Sequence, residues 1–377
     1  DSATIKLRDG FLVFDNGTSA VTETLGTVRP ETGDSFIAVN PKNGSDVNTT
    51  ITIDKIERQA GSTLTLSSWD STATFGIGTP ATDDSVRFKL NSPTGLTLTG
   101  AATGTTDKKI AVGLYAGLAP LANDDPYLWA NGTASTQERN NLFFSGRDFV
   151  TLDLGYLRPL DDSEYYTDTA NMAGAAGQNL NLSLPSTSVL SDLSINSLRF
   201  GNLNDNLNNN APGSTLPDSR MVGWQQTTNA LTIDDGVTLT INSGMILFAN
   251  MGQGLNQDMQ SFINGGTINF GANEGIISNI NGWYNTAGGA YSGNAAYIRS
   301  SITGTVAPGS VGITKTGFQE VYFDGINTYT GLTKVANGLL RIRNSSGLGA
   351  GGDGNGLVIE GSGSILYNTG INIGQNI

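Results

Sequence analysis

Val311-Gly312-Ile313-Thr314-Lys315-Thr316-Gly317, Glu320-Val321-Tyr322-Phe323-Asp324-Gly325, Ile326-Asn327-Thr328-Tyr329-Thr330-Gly331 and Leu332-Thr333-Lys334-Val335-Ala336-Asn337-Gly338-Leu339-Leu340-Arg341-Ile342 decide how this chain folds. Apolar residues alternate in short bursts, Val321/Phe323, Thr333/Val335 and Leu340/Ile342, and glycine- or asparagine-bearing turns close the bursts. Alternation over four or five residues marks a strand with one buried face. Val321 and Leu340 stand 19 residues apart, and so do Phe323 and Ile342. The bursts recur too quickly for long hairpins, so the spacing predicts one coil of a solenoid, each strand stacked on its equivalent a turn earlier.

Lys315, Gly317, Val321, Phe323, Gly325, Asn327, Thr328, Tyr329, Thr330, Gly331, Thr333, Val335, Gly338 and Leu340 also share a register with a known motif. Over about forty residues (311–349) the stretch resembles the autotransporter-associated β-strand repeat. It departs from that family at Phe318 and Leu332, where small residues or glycine are usual, so bulkier turns are expected. The resemblance implies a right-handed, single-stranded parallel β-helix in a large secreted or surface protein of a Gram-negative-type bacterium.

Composition agrees with an all-β chain. Of 377 residues, 14% are charged and 50 are glycine, against a usual charged share of about 25%. No amphipathic 3.6-period run exceeds about three turns. There is no cysteine and no histidine, which removes disulfides, thiol nucleophiles, zinc clusters and Ser-His-Asp catalysis. The net charge of −13 disfavours nucleic acid and anionic membranes as partners. No methionine starts the chain, and neither a basic-then-apolar leader nor a ~20-residue apolar span is present. The expectation is a mature or internal segment of a longer extracellular or cell-surface protein.

Working outward, residues 1–100 read as solenoid coils, from Ala3–Leu7 and Phe11–Phe14 through Leu96–Leu98. Residues 101–178 break the rhythm and are dense in aromatics, which predicts coils with long excursions or a loop-rich lobe on the flank. A short helix is expected around Thr136 to Asn141. Regular coils resume over 179–377, including the repeat-like stretch. At roughly 20–30 residues per coil and ~4.8 Å between stacked strands, such a chain is a rod on the order of 60–90 Å long.

Candidate chemistry is sparse. The pairs Asp83-Asp84, Asp124-Asp125, Asp161-Asp162 and Asp234-Asp235 are weighed as glycosidase carboxylates, calcium ligands or plain solvated turns. Calcium is the one cofactor they leave open. A polysaccharide-active β-helix enzyme is the enzymatic alternative, poorly served by a chain with no histidine and scattered Lys and Arg. Tyr127, Trp129, Tyr165 and Tyr166 are the candidate glycan contacts, since aromatic faces beside carboxylates suit a sugar groove. The same rings would serve equally to pack a lobe against the solenoid, and an adhesin is the binding alternative.

The leading expectation is a structural, non-catalytic block of a bacterial surface fibre. Strand patterns run to both ends without a polar cap, with Ile5, Leu7, Phe11 and Phe14 at one end and Ile371 and Ile373 at the other. Uncapped solenoid ends expose unpaired backbone groups. These two are expected to join end to end, to copies of the chain or to neighbouring segments, as an open filament.

Overall fold

The computed structural model describes residues 3–17, 21–41, 49–68, 77, 79, 86–101, 105–118, 147–183, 186–201, 229–249, 251–253, 260–280, 282–284 and 295–371. The fold is all-β, with two bodies of strands built in succession. The helix expected at Thr136 to Asn141 lies outside the described residues.

The first body begins with β1 (Thr4–Arg8), β2 (Phe11–Gly17) and one long strand, β3 (Thr22–Pro41). Then come β4 (Thr49–Ile56), β5 (Ser62–Ser68) and β6 (Val86–Ser92). All pair in parallel: β1 and β4 flank the first half of β3, β2 and β5 its second half, and β6 adds to β4. A small rung, β7 (Leu98–Thr99) with β8 (Ile110–Ala111), precedes β9 (Leu114–Leu118), which extends β5.

Here the parallel order stops. β10 (Arg147–Asp153) and β11 (Tyr156–Pro159) form a hairpin that pairs antiparallel with β9 on one side and β6 on the other. Its tip, Leu154-Gly155, has positive φ at both residues, as a two-residue turn matched to strand twist requires. The ring β3-β4-β6-β11-β10-β9-β5 returns to β3 as a closed seven-stranded barrel. Ile51, Ile53, Leu64, Leu66, Phe88, Leu114, Val150 and Leu157 fill it, each worth roughly 1.5–3 kcal/mol of apolar burial.

The second body is built of passes that visit the same faces in the same order. Face one stacks β12 (Asn179–Leu182), β15 (Ser197–Phe200), β18 (Met245–Phe248), β22 (Gly275–Asn279) and β26 (Val311–Thr316). Face two stacks β13 (Ser186–Val189), β16 (Asn229–Ile233), β20 (Ser261–Asn264), β24 (Ala296–Ile298) and β27 (Val321–Phe323). Face three stacks β14 (Leu193–Ile195), β17 (Thr238–Ile241), β21 (Thr267–Asn269) and β25 (Ser301–Thr303). A short parallel pair, β19 (Met251–Gln253) with β23 (Gly282–Tyr284), runs between faces one and two. β28 (Leu332–Ile342) and β29 (Leu357–Tyr367) are long enough to cross from face one to face two, curling the sheet. Every described ladder of this body is parallel.

The 19-residue spacing is the register itself: Val321 pairs with Leu340 and Phe323 with Ile342, all four fully buried. The bursts Thr333/Val335 and Leu340/Ile342 belong to one strand bent between them. Gly338 makes the bend at φ +67°, and a Cβ there would lie 2.4 Å from the Gly317 carbonyl oxygen. Lys315, wholly buried, donates to the carbonyls of Gly317, Gln319 and Asn337 at 2.5, 2.6 and 2.7 Å, tying its own turn to the next pass. Asn327 and Tyr329 point inward. The Asn327 Oδ1 accepts from Ile302 N–H at 2.9 Å, its Nδ2 donates to Gly347 at 2.7 Å, and the Tyr329 and Thr333 hydroxyls meet at 2.6 Å.

The two bodies do not extend as one rod. Asp9 meets Ser362, Asp34 meets Asn337, Thr63 meets Thr316, Gly113 meets Met245 and Asp148 meets Arg199. The first members rise through the sequence while the second members fall, so the chain runs along the first body and returns alongside it. Strand composition explains the pairing. Met245-Ile246-Leu247-Phe248 is apolar on both faces, and a strand that reads so needs cover on both. Its Met245 and Leu247, with Ile276 and Ile280, pack against Tyr115, Phe149 and Leu160 of the first body.

Candidate functional site

Three places carry enough exposed or charged chemistry to be weighed: the aromatic segment, an outer ladder on face two, and the layer that holds β1, β2 and β29.

The aromatic segment does not form a sugar groove at the residues that can be located. Tyr165 is buried between the bodies beside Phe149, and its hydroxyl donates to the Asp148 carboxylate. The Arg199 guanidinium lies 5.7 Å from the ring centroid. Burial pushes the Asp148 carboxyl up, opposed by Arg199 and the tyrosine hydroxyl. Burial also raises the Tyr165 hydroxyl, helped by the adjacent carboxylate. Tyr166 is half-buried and donates to the Asn171 carbonyl at 2.7 Å. Tyr127 and Trp129 fall outside the described residues.

Asp161-Asp162 opens a short 3-10 turn at the closed end of the barrel rather than an acid–base site. Next to it Arg158 grips Glu164 through two 2.8 Å hydrogen bonds and Asp153 through bonds of 2.9 and 3.0 Å, while Lys108 reaches Glu164 at 2.7 Å. Burial alone would raise the Glu164 carboxyl. Arg158, Lys108 and the Asp161 N–H outweigh it and bring it down to about 2. Asp234-Asp235 is an exposed turn ahead of Gly236, and Asp83-Asp84 and Asp124-Asp125 lie outside the described residues. Among the described residues no group of three or more acidic side chains is placed to hold a metal ion. No helix there is long and apolar enough to cross a membrane.

The outer ladder was not legible in the sequence. Phe262, Tyr297 and Tyr322 come from three successive passes and stack at 4.8 and 4.3 Å between ring centroids. Arg299, Arg341 and Arg343 lie over these rings at 4.5, 5.0 and 4.8 Å. Asp324 and Glu320, distant in sequence from some of their partners, bind Arg343 at 2.5 Å and Arg341 at 2.5 Å. The ring faces are therefore occupied by one another and by guanidinium groups, which suits stacking between passes and leaves only ring edges for a ligand.

The layer of β1, β2 and β29 is different. Among the described residues β1 and β2 pair with β3 and β29 pairs with β28, so each stands at an edge of its described sheet. These edges do not stand at opposite ends of the molecule, which corrects the arrangement expected from the sequence. Ser362 Oγ donates to Asp9 Oδ2 at 2.8 Å, and a Cβ on Gly361 would come 2.6 Å from Asp9 Cγ. Antiparallel travel of the two bodies brings both edges to one face. Leu7 is buried, Ile5, Phe14 and Ile371 are half-buried against the cores, and Phe11 is 39% exposed, stacked on Phe36 at 4.8 Å. Ile373 lies outside the described residues. The opposite end of the first body is closed by the β10–β11 hairpin.

Compared with known proteins, this chain matches no family model, no curated protein and no solved structure.

Proposed function

We propose that this chain is a structural block of an extracellular bacterial surface protein, of the kind carrying autotransporter-associated β-strand repeats, with residues 179–371 winding as a right-handed parallel β-helix. One observation supports the reading: the repeat-like residues lie in successive parallel passes, with Phe323 paired to Ile342 and Asn327 hydrogen-bonded to Ile302 and Gly347. The work of such a block is to hold length and shape without disulfides, and no catalytic step is assigned to it. A sequence without histidine or cysteine supports that assignment. Its open strand edges join copies of the chain, or adjacent segments of a longer one. The test is surface display in the native host: antibodies against this block, and protease added outside intact cells, are expected to reach it. A protein found wholly inside the cell refutes the reading.

A further inference from the structure

We infer that the groove on the outer side of face three binds a neutral, extended β-linked glycan laid along the stack, about one sugar to each pass.

The lining follows from the alternation of the strands. On β17, β21 and β25 the inward residues Leu239, Ile268 and Ile302 are fully buried. Their neighbours on either side therefore face out. Register stacks these into two columns, Thr238–Thr267–Ser301 and Thr240–Asn269–Thr303. All six are half-buried, and each carries a hydroxyl or an amide. Beyond the second column the side chains stop, and Gly271 and Gly304 leave a depression beside Thr305. The groove so formed has a volume of about 520 Å³, inside the ~300–1,000 Å³ of small-ligand sites. Most of its polar groups sit on paired strands, so they are held in position before a ligand arrives.

Chemistry of the lining selects the ligand. Among the described residues lining the groove none carries a formal charge, while the chain as a whole carries −13. A cation finds no carboxylate there, and an anion meets an opposing field. A neutral ligand fits. Threonine hydroxyls both donate and accept, as does the Asn269 amide, which matches the hydroxyls of a sugar. β21 pairs with a strand on each side, so a peptide finds no edge there to extend. Spacing supplies the direction. Equivalent polar groups recur every ~4.8 Å from pass to pass, near the length of one pyranose in an extended chain. Successive sugars thus meet equivalent groups, in columns ~6.6 Å apart along each strand.

Titration of the intact chain with cellohexaose, xylohexaose and mannohexaose, followed by calorimetry and by threonine-methyl NMR, tests this. Saturable binding of at least one is expected, with shifts centred on the methyls of Thr267 and Thr303. Oligogalacturonate of the same length should bind more weakly. Thr267→Val and Thr303→Val each keep the shape and remove one hydroxyl, and each should weaken binding roughly two- to tenfold. Valine suits an outward strand position, and the methyl shifts of the unaltered protein locate the ligand even if one variant folds poorly. Failure of all three sugars to bind, equal binding of oligogalacturonate, shifts centred on the aromatic ladder of face two, or affinity unchanged by both valines would each overturn the inference. Any of these leaves the surface-display test unaffected.

Discussion

Removing the Asn327 side chain should loosen the second body by an amount set by two hydrogen bonds. Its Oδ1 accepts from Ile302 N–H on the preceding pass, and its Nδ2 donates to the Gly347 carbonyl on the following side. Asn327, Ile302 and Gly347 are all buried, so water cannot replace the lost partners. In Asn327→Ala each orphaned backbone group costs about 1–3 kcal/mol, giving a total of about 2–6 kcal/mol. For a cooperative unit of this size that lowers the melting temperature by on the order of 5–20 °C. Thr328→Ala is the control: its side chain points outward and is exposed, and such changes usually stay within ~0.5 kcal/mol. Thermal and guanidinium unfolding followed by circular dichroism measures the difference. Amide exchange at Ile302 reports whether the particular N–H has lost its acceptor. An Asn327→Ala protein as stable as the parent, with Ile302 still protected, would refute the idea that this asparagine staples successive passes.

Three further outcomes are expected. Phe323→Asp or Ile342→Asp would bury an unpaired carboxylate within the stack and cost several kcal/mol; unchanged melting would place these side chains outside and reverse the register. Glu164 sits at about 2 in the folded protein, below roughly 4.3 in an unfolded chain. Its contribution is therefore complete above about pH 4.3 and fades as pH falls toward 2, so acid titration of Glu164→Gln should lose that part of the dependence; an identical acid profile would discount the Arg158–Glu164 pair. Arg58 donates to Glu274 at 2.6 Å across the two bodies, and Glu274 also accepts from Gly61 N–H at 2.9 Å and Thr314 at 2.5 Å. Arg58→Ala should cost about 3–5 kcal/mol by stranding a nearly buried carboxylate, read as earlier proteolysis at the junction; intact protease resistance would mean the bodies are held by apolar contact alone.

What could be read directly was the local pattern. Side chains alternate along a strand with a period of two, so Val321/Phe323 and Leu340/Ile342 announced buried faces, and their 19-residue spacing announced which residues stack. These facts depend only on neighbours along the chain and on one pass length, both written in the order of residues. Where the second body sits was not written there. Asp9 and Ser362 are 353 positions apart, and no period connects them. Nor does spacing announce that β10 would turn back, close the first strands into a barrel and end the parallel order. The apolar run Met245–Phe248 is covered on both faces, and several surfaces could have provided the cover. The selection was made by shape and charge meeting at once: Arg58 with Glu274, Thr63 with Thr316, Tyr165 with Asp148 and Arg199. Alternation specifies what a strand must bury, while only the packed molecule decides against what it is buried. That choice carried the turn after β1 and the strand β29 to one layer.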